Sequence, residues 1–369
     1  NYSIQKQANY LLNEIDNSNE FENIIHHYLE NGKISLAKKA IKLGLQQHPT
    51  SINLRLFKIE ILVIENKFDV ANDILEELHY LEPNNEEIYI QKANVLSKQD
   101  LHKEAISALL IALDLSSSEE GEGDLYGLIG MEYLFLDQFE NALIYFQKCL
   151  EVDKTDYAAL HNVVYCFDFL DKNEDAIDFL NTYLDTNPYC EVAWHQLGRQ
   201  YFVLNKFKEA LKAFDYAVVI DESFIGGYLE KAKTLEQLAR YEEAIENYYV
   251  TLDLDDPTAY AFIRIGECYE KLGKAELAIH HYKKGVHEDP LLDKGWILLS
   301  EAYYVQEDYQ KALYYISKAL KIDESNALYW RKYSDINIKL SFFEEAIKGF
   351  ENCIDLKDYS IEIYIALAD

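Results

Sequence analysis

Residues that break or staple a fold are scarce here: the chain has five prolines and five cysteines in 369 residues, and no stretch rich in proline, glycine or serine that could act as a linker. One continuous architecture is therefore expected, in place of the two or three separate globules that this length would otherwise suggest. Positive charge is scarce too, with 35 Lys and Arg against 65 Asp and Glu and a formal net charge of -30. Affinity for nucleic acid rests on neutralising phosphates, so without a local basic face a direct DNA or RNA role is excluded. A basic protein or cationic peptide is the more natural partner. No run approaches the roughly 18 consecutive apolar residues of a membrane span, and Asn1 to Asp16 lack the charged segment and apolar core of a secretion signal.

Apolar material is plentiful. At 49% hydrophobic and 27% charged residues, the composition is that of a folded protein and not of a disordered one. Its arrangement is periodic. Alanine recurs at Ala37, Ala71, Ala105, Ala142, Ala176, Ala210, Ala244, Ala278, Ala312 and Ala346, every gap being 34 except one of 37. Counting that alanine as position 20 sets repeat starts at 18, 52, 86, 123, 157, 191, 225, 259, 293 and 327. Position 4 then collects all three tryptophans, Trp194, Trp296 and Trp330, and position 17 is aromatic at Phe68, Phe139, Phe207, Tyr241, Tyr309 and Phe343. Pro49, Pro83, Pro188 and Pro290 share position 32, with Pro257 one residue later in its own repeat, where each bars a helix from continuing.

With the run Trp194, Leu197, Gly198, Tyr201, Ala210, Phe214, Ala217, the chain resembles the tetratricopeptide repeats, and the likeness extends over residues 18 to 360. Its overall texture is also similar to the long all-repeat proteins of Bacteroidota. The resemblance implies an all-α fold, a right-handed α-solenoid superhelix of antiparallel helix hairpins, whose first helices line a concave groove for a protein or peptide. Residues 1–17 are expected to form a lone capping helix of the second-helix type, 18–360 ten tandem repeats, and 361–369 the start of a further repeat that the natural protein continues.

The residues themselves support this. Trp194, Leu197, Tyr201 and Leu204 follow 3, 4, 3 spacing and predict a first helix, and Phe207, Ala210, Leu211, Phe214, Ala217 and Val218 predict a second, with Asn205 and Lys206 turning between them. Small residues at position 8, such as Gly130, Gly198 and Gly266, are expected to let the two backbones approach, and Ile25, Ile59 and Val164 to mark looser repeats.

Nothing in the pattern supplies chemistry. Five cysteines without a CxxC read as packing residues, since Cys149 and Cys353 share one repeat position and Cys166 and Cys268 another, and free buried thiols point to a cytoplasmic location. The histidine pairs His26 with His27 and His280 with His281 are adjacent and diverge on a helix, which does not suit a metal. No catalytic residues, no cofactor and no metal are expected, and the chain is read as no enzyme. The 37-residue gap falls in Ser116 to Gly123, read as a flexible acidic loop or as a docking or phosphorylation site; Asp253, Asp255 and Asp256 read as an inter-repeat turn.

Function is therefore sought on the first helices, at positions 2, 5, 6, 9, 12 and 13. Candidates for a peptide groove are His161, Asn162, Tyr165, His195, Gln196, Arg199, Lys233 and Arg264, three of them cations in an acidic chain, and Trp194, Gly198, Ala210, Trp296 and Trp330 are its structural anchors. The Lys and Asn pattern with which some tetratricopeptide domains clamp a chaperone tail is not reproduced. Apolar groove patches are expected at Leu56 and Phe57, at Leu128, Met131 and Phe135, and at Ile297 and Leu298, unless neighbouring helices cover them. The reading is a non-enzymatic scaffold for a peptide or protein partner, or alternatively a regulatory or targeting subunit of a larger assembly such as a secretion or envelope-biogenesis machine.

Overall fold

The computed structural model describes residues 18–254 and 258–368. The capping helix expected over 1–17, together with Asp255, Asp256 and Pro257, lies outside the described residues. Twenty-one helices and no strand occur among the described residues, and they run as hairpins. In order these are Ser18–Glu30 (α1) with Ile34–Gln47 (α2), Ile52–Ile64 (α3) with Phe68–Leu81 (α4), Glu86–Ser97 (α5) with His102–Leu115 (α6), and Glu119–Phe135 (α7) with Phe139–Val152 (α8). Tyr157–Phe169 (α9) is followed by Asn173–Thr186 (α10), and then come Glu191–Val203 (α11) with Phe207–Ile220 (α12), and Ile225–Gln237 (α13) with Tyr241–Leu254 (α14). Ala259–Lys271 (α15) pairs with Ala275–Glu288 (α16), Asp293–Val305 (α17) with Tyr309–Ile322 (α18), and Ala327–Lys339 (α19) with Phe343–Asp355 (α20), before Ile361–Ala368 (α21). The chain divides into two compact units, 1–175 and 176–369.

Each hairpin closes through one backbone device at position 15. Gly32, Asn66, Asp100, Asp137, Asp171, Asn205, Ala239, Gly273, Glu307 and Ser341 all have positive φ, between 53° and 71°. The next amide reaches back five residues, as Lys67 N does to Leu62 O at 2.8 Å, which satisfies a carbonyl that the helix end would otherwise leave bare. Asn, Asp and Gly tolerate this conformation; Ala239 (φ 56°) does not. Ala239→Gly is accordingly expected to stabilise the chain by about 0.5–1 kcal/mol, measured by urea unfolding.

The repeating alanine is at most 3% exposed in all ten hairpins. Position 8 opposite it follows a size rule that the sequence reading put down to backbone approach alone. A Cβ on Gly130 would sit 2.7 Å from Phe146, on Gly198 2.5 Å from Phe214, and on Gly266 2.4 Å from Tyr282, all rings at position 24. Small residues here seat a ring. In the first two hairpins position 24 is aliphatic and position 8 is large: Ile25 accompanies Ile41 and Ile59 accompanies Leu75, and both isoleucines are fully buried, so these two repeats are not looser but filled from the other side. Ser300 and Ser334 take a third course, each hydroxyl donating at 2.8 Å to the carbonyl of the facing alanine, Ala312 or Ala346.

Successive hairpins are tied by position 4. Trp194 Nε1 donates to Pro188 O at 2.9 Å, Trp296 Nε1 to Pro290 O at 2.9 Å and Trp330 Nε1 to Glu324 O at 2.8 Å, so each indole pins the turn that leads into its own helix. Two expectations need correction. The acidic stretch of the 37-residue gap is not a loop: α7 begins at Glu119, capped by Ser118 Oγ accepting from Gly121 N at 3.1 Å. Its first-turn carboxylates Glu119, Glu120 and Glu122 suit the positive end of the helix dipole, and the insertion lengthens a helix instead of breaking one. Asp253 likewise lies within α14 and not in a turn.

Candidate groove on the first helices

The first helices touch one another from hairpin to hairpin, α1 with α3, α3 with α5, and α11 with α13, so their free sides form a row within each unit. Packing between these neighbours covers part of the face that the sequence assigned to the groove. Leu56 joins the core that includes Ile88 of α5, and Ile297 joins the core that includes Tyr329 and Ile336 of α19. They are 5% and 8% exposed and thus core, while their companions Phe57 and Leu298 stay half-buried and Leu298 lines a cleft. Gln196 is only 4% exposed and is likewise no part of an open surface. The patch on α7 remains open, with Leu128, Met131 and Phe135 at 43%, 39% and 58%.

The eight groove candidates divide between the units, His161, Asn162 and Tyr165 in the first and the other five in the second. His161 and Tyr165 are exposed, and Asn162 Nδ2 lies 4.0 Å from Met131 Sδ. In the second unit the cations do not form a free lane. Arg199 Nη1 donates to Gln196 Oε1 at 3.3 Å, and Lys233 Nζ to Glu230 Oε1 at 2.8 Å. Arg264 is held on two sides: it grips both carboxylate oxygens of Glu236 and donates from Nη1 to Glu267 Oε2 at 2.7 Å. Tyr248 completes the group by donating to Glu236 Oε1 at 2.5 Å. Burial nonetheless keeps the Glu236 carboxyl above the usual carboxylate range, with Tyr248 and Arg264 opposing.

Two adjoining clefts open on this row. One, of about 430 Å³, is bounded by Glu236, Arg264, Glu267, Glu270 and Lys271, and the other, of about 320 Å³, by Glu270, Glu301, Tyr304, Val305, Lys332 and Asp335. Glu270 belongs to both and accepts from the Tyr282 hydroxyl at 2.7 Å. All but one of the lining residues come from first helices, Tyr241 at the start of α14 being the other. Sequence reasoning missed Glu270, Tyr304 and Val305, although they fall at positions 12 and 13, which it had assigned to the groove.

His195 is packed against Phe214 and Phe224, with ring centroids at 5.7 and 5.1 Å, and its Nε2 is buried without a hydrogen-bond partner. Burial drives its pKa down to about 4, Arg199 and Lys233 adding to the effect and Glu230 opposing it. The unfolded chain takes up this proton first, near pH 6.5, so stability must fall as pH drops from there toward about 4. A loss on the order of 3 kcal/mol across that window is expected, and His195→Phe should remove it from the pH profile of urea unfolding. The thiols are inert for the same reason: all five cysteines are buried, and burial pushes Cys149 up to about 11 and Cys166 and Cys268 to about 12.

Among the described residues no group of three or more His, Cys, Asp or Glu could hold a metal, and no helix is long and apolar enough to cross a membrane. Family models described as tetratricopeptide repeat match residues 123–156, 259–290 and 293–326. No curated protein matches the sequence. Many solved structures are similar to the chain, among them a tetratricopeptide repeat protein from Parabacteroides merdae, 18% identical, covering 69% of this chain and 98% of its own, with a TM-score of 0.45. PilW, described as a type IV pilus biogenesis factor, is 19% identical over 66% of this chain and 98% of its own, with a TM-score of 0.45. YrrB, described as a tetratricopeptide protein with an unusual peptide-binding site, is 15% identical over 52% of this chain and 98% of its own, with a TM-score of 0.43. With its 34-residue period, its helix hairpins and three stretches matched by tetratricopeptide-repeat models, this chain has the features of a tetratricopeptide-repeat protein.

Proposed function

We propose that the chain is a non-enzymatic scaffold that binds a protein or peptide across its first helices. The observation that carries this reading is the pair of adjoining clefts on α13, α15, α17 and α19, which share Glu270 and present carboxylates, a lysine, a tyrosine hydroxyl and the exposed Val305 side by side. Such a surface offers an extended ligand successive polar and apolar contacts, while Cys268, the thiol that lines the first cleft, is pushed up to about 12 by burial and is a poor nucleophile. Charged side chains on the second helices, such as Glu242 and Glu243 in the first turn of α14, keep the opposite side solvated.

Affinity capture followed by cross-linking and mass spectrometry tests this. Cross-links from the partner are expected on first helices, and Lys271→Glu with Val305→Asp, two surface changes that leave the Arg264 network intact, should lower capture at least about tenfold. Cross-links confined to second helices, with capture undiminished in that variant, would overturn the reading.

A further inference from the structure

The first helices of the first unit differ in kind from those of the second. On α7 and α9 the open positions 9 and 13 are Met131, Phe135, Tyr165 and Phe169, all exposed and two of them supported from below. Phe169 stacks on Phe139 at 4.7 Å, and Phe135 stacks on His102 at 5.0 Å, whose Nδ1 lies 2.8 Å from the buried Glu132 Oε2. The rings are thus held in place facing solvent, which is costly for a surface without an occupant. Met131 beside them adds a soft, adaptable contact.

On α3 and α5, earlier in the same row, two carboxylates, Glu60 at position 9 and Glu87 at position 2, meet no cationic partner among the described residues. Glu60 and Glu87 are each desolvated and each pairs with no lysine or arginine among the described residues; Glu87 accepts only from Gln91 Nε2 at 3.0 Å. The groups facing them are more of the same sign: Glu87 and Glu60 repel, Glu86 lies next to Glu87, and His26 is the one opposing group. Glu86 Oε2 and Gln91 Oε1 are buried acceptors with no donor. In the second unit the equivalent carboxylates are neutralised, Glu301 by Lys332 and Glu267 by Arg264 and Lys294. Buried carboxylates without a cation are expensive, and a cation supplied from outside would relieve them.

We propose that this row holds an amphipathic segment of a partner protein, its bulky apolar side seated on Met131, Phe135, Tyr165 and Phe169 and a lysine- or arginine-bearing end placed over Glu60 and Glu87. The order of the helices sets the polarity of the ligand, cationic end toward α3 and apolar end toward α9. This rests on the scaffold reading above and narrows it to one unit and one ligand chemistry.

The test is fluorescence anisotropy with a labelled helix-forming peptide that carries two lysines at one end and a leucine and phenylalanine face beyond them. A scrambled peptide of the same composition and one with glutamates in place of the lysines serve as controls. Both controls should bind at least about tenfold more weakly, as should the parent peptide to Phe135→Ser/Phe169→Ser. Glu60→Gln/Glu87→Gln should weaken binding by about tenfold while leaving the unfolding midpoint unchanged or raised, since it removes two desolvated charges; a purely structural role would lower both. Equal binding of the scrambled peptide, indifference to both variants, or a shift of the Phe135→Ser/Phe169→Ser variant from dimer to monomer would each overturn the proposal. Any of these outcomes together with partner cross-links on α13 to α19 leaves the scaffold reading standing, whereas cross-links confined to second helices remove that reading itself.

Discussion

Gly198→Ile is expected to destabilise the chain by about 3 kcal/mol, and adding Phe214→Leu to return most of that loss. The Cβ of any residue at 198 would lie 2.5 Å from Phe214 Cε1 and 2.7 Å from Cδ1, and Phe214 is fully buried, so the ring has nowhere to go. Phe214→Leu alone should cost about 1–2 kcal/mol through the cavity it leaves. The double variant reproduces the pairing of Ile59 with Leu75 in the second hairpin, where a large residue at position 8 meets a smaller one at position 24. Hydrogen exchange in α11 and α12 localises the effect, which matters because a repeat array need not unfold in one step. Additivity of the two single changes to within about 0.5 kcal/mol would show that the positions do not share one space.

Arg264→Leu carries the other large expected effect, a loss of about 3–5 kcal/mol at neutral pH. Among the described residues its guanidinium is the only cation in contact with Glu236, whose side chain is 11% exposed, and it also bonds Glu267. Removing it leaves a buried carboxylate held by the Tyr248 hydroxyl with no cation beside it among the described residues. The pH dependence has a definite sign. The Glu236 pKa is already raised by burial and would rise further without Arg264, and a raised carboxyl adds stability as pH falls through its folded value. The gap between wild type and variant should therefore narrow between pH 7.5 and 5, and Arg264→Leu/Glu236→Met should close most of it at every pH. A gap that stays constant with pH would mean that Glu236 is not the group left exposed. The same reasoning shows that reversing the charge at 264 tests folding before it tests binding, which is why the binding variants above avoid it.

The period, the two-helix unit and the all-α class were legible because they depend on residue size at fixed spacing. An alanine every 34 residues can be fully buried in every hairpin only if each hairpin meets the same neighbours, and tryptophan at one repeat position implies one repeated environment. The site was less legible. Leu56 and Ile297 carry the same position labels as open groove residues, yet they pack into a core shared with the adjoining first helix, and how much it covers depends on crossing geometry that no repeat position encodes. Arg264 looked available as one of three groove cations in an acidic chain, whereas in the fold Glu236 and Glu267 are its hydrogen-bonding partners on two helices.

The amino-acid order alone determined that the chain forms repeated helical hairpins, where they turn and which small and aromatic residues face inward, since those follow from local spacing and from sizes matched within one hairpin. Tertiary structure alone decided which charges cancel and which stay uncompensated. Glu236 is met by an arginine 28 residues away, while Glu60 and Glu87 are brought together without a cation. Electrostatic energy is set by distance and burial, and a sequence states neither until its helices have packed.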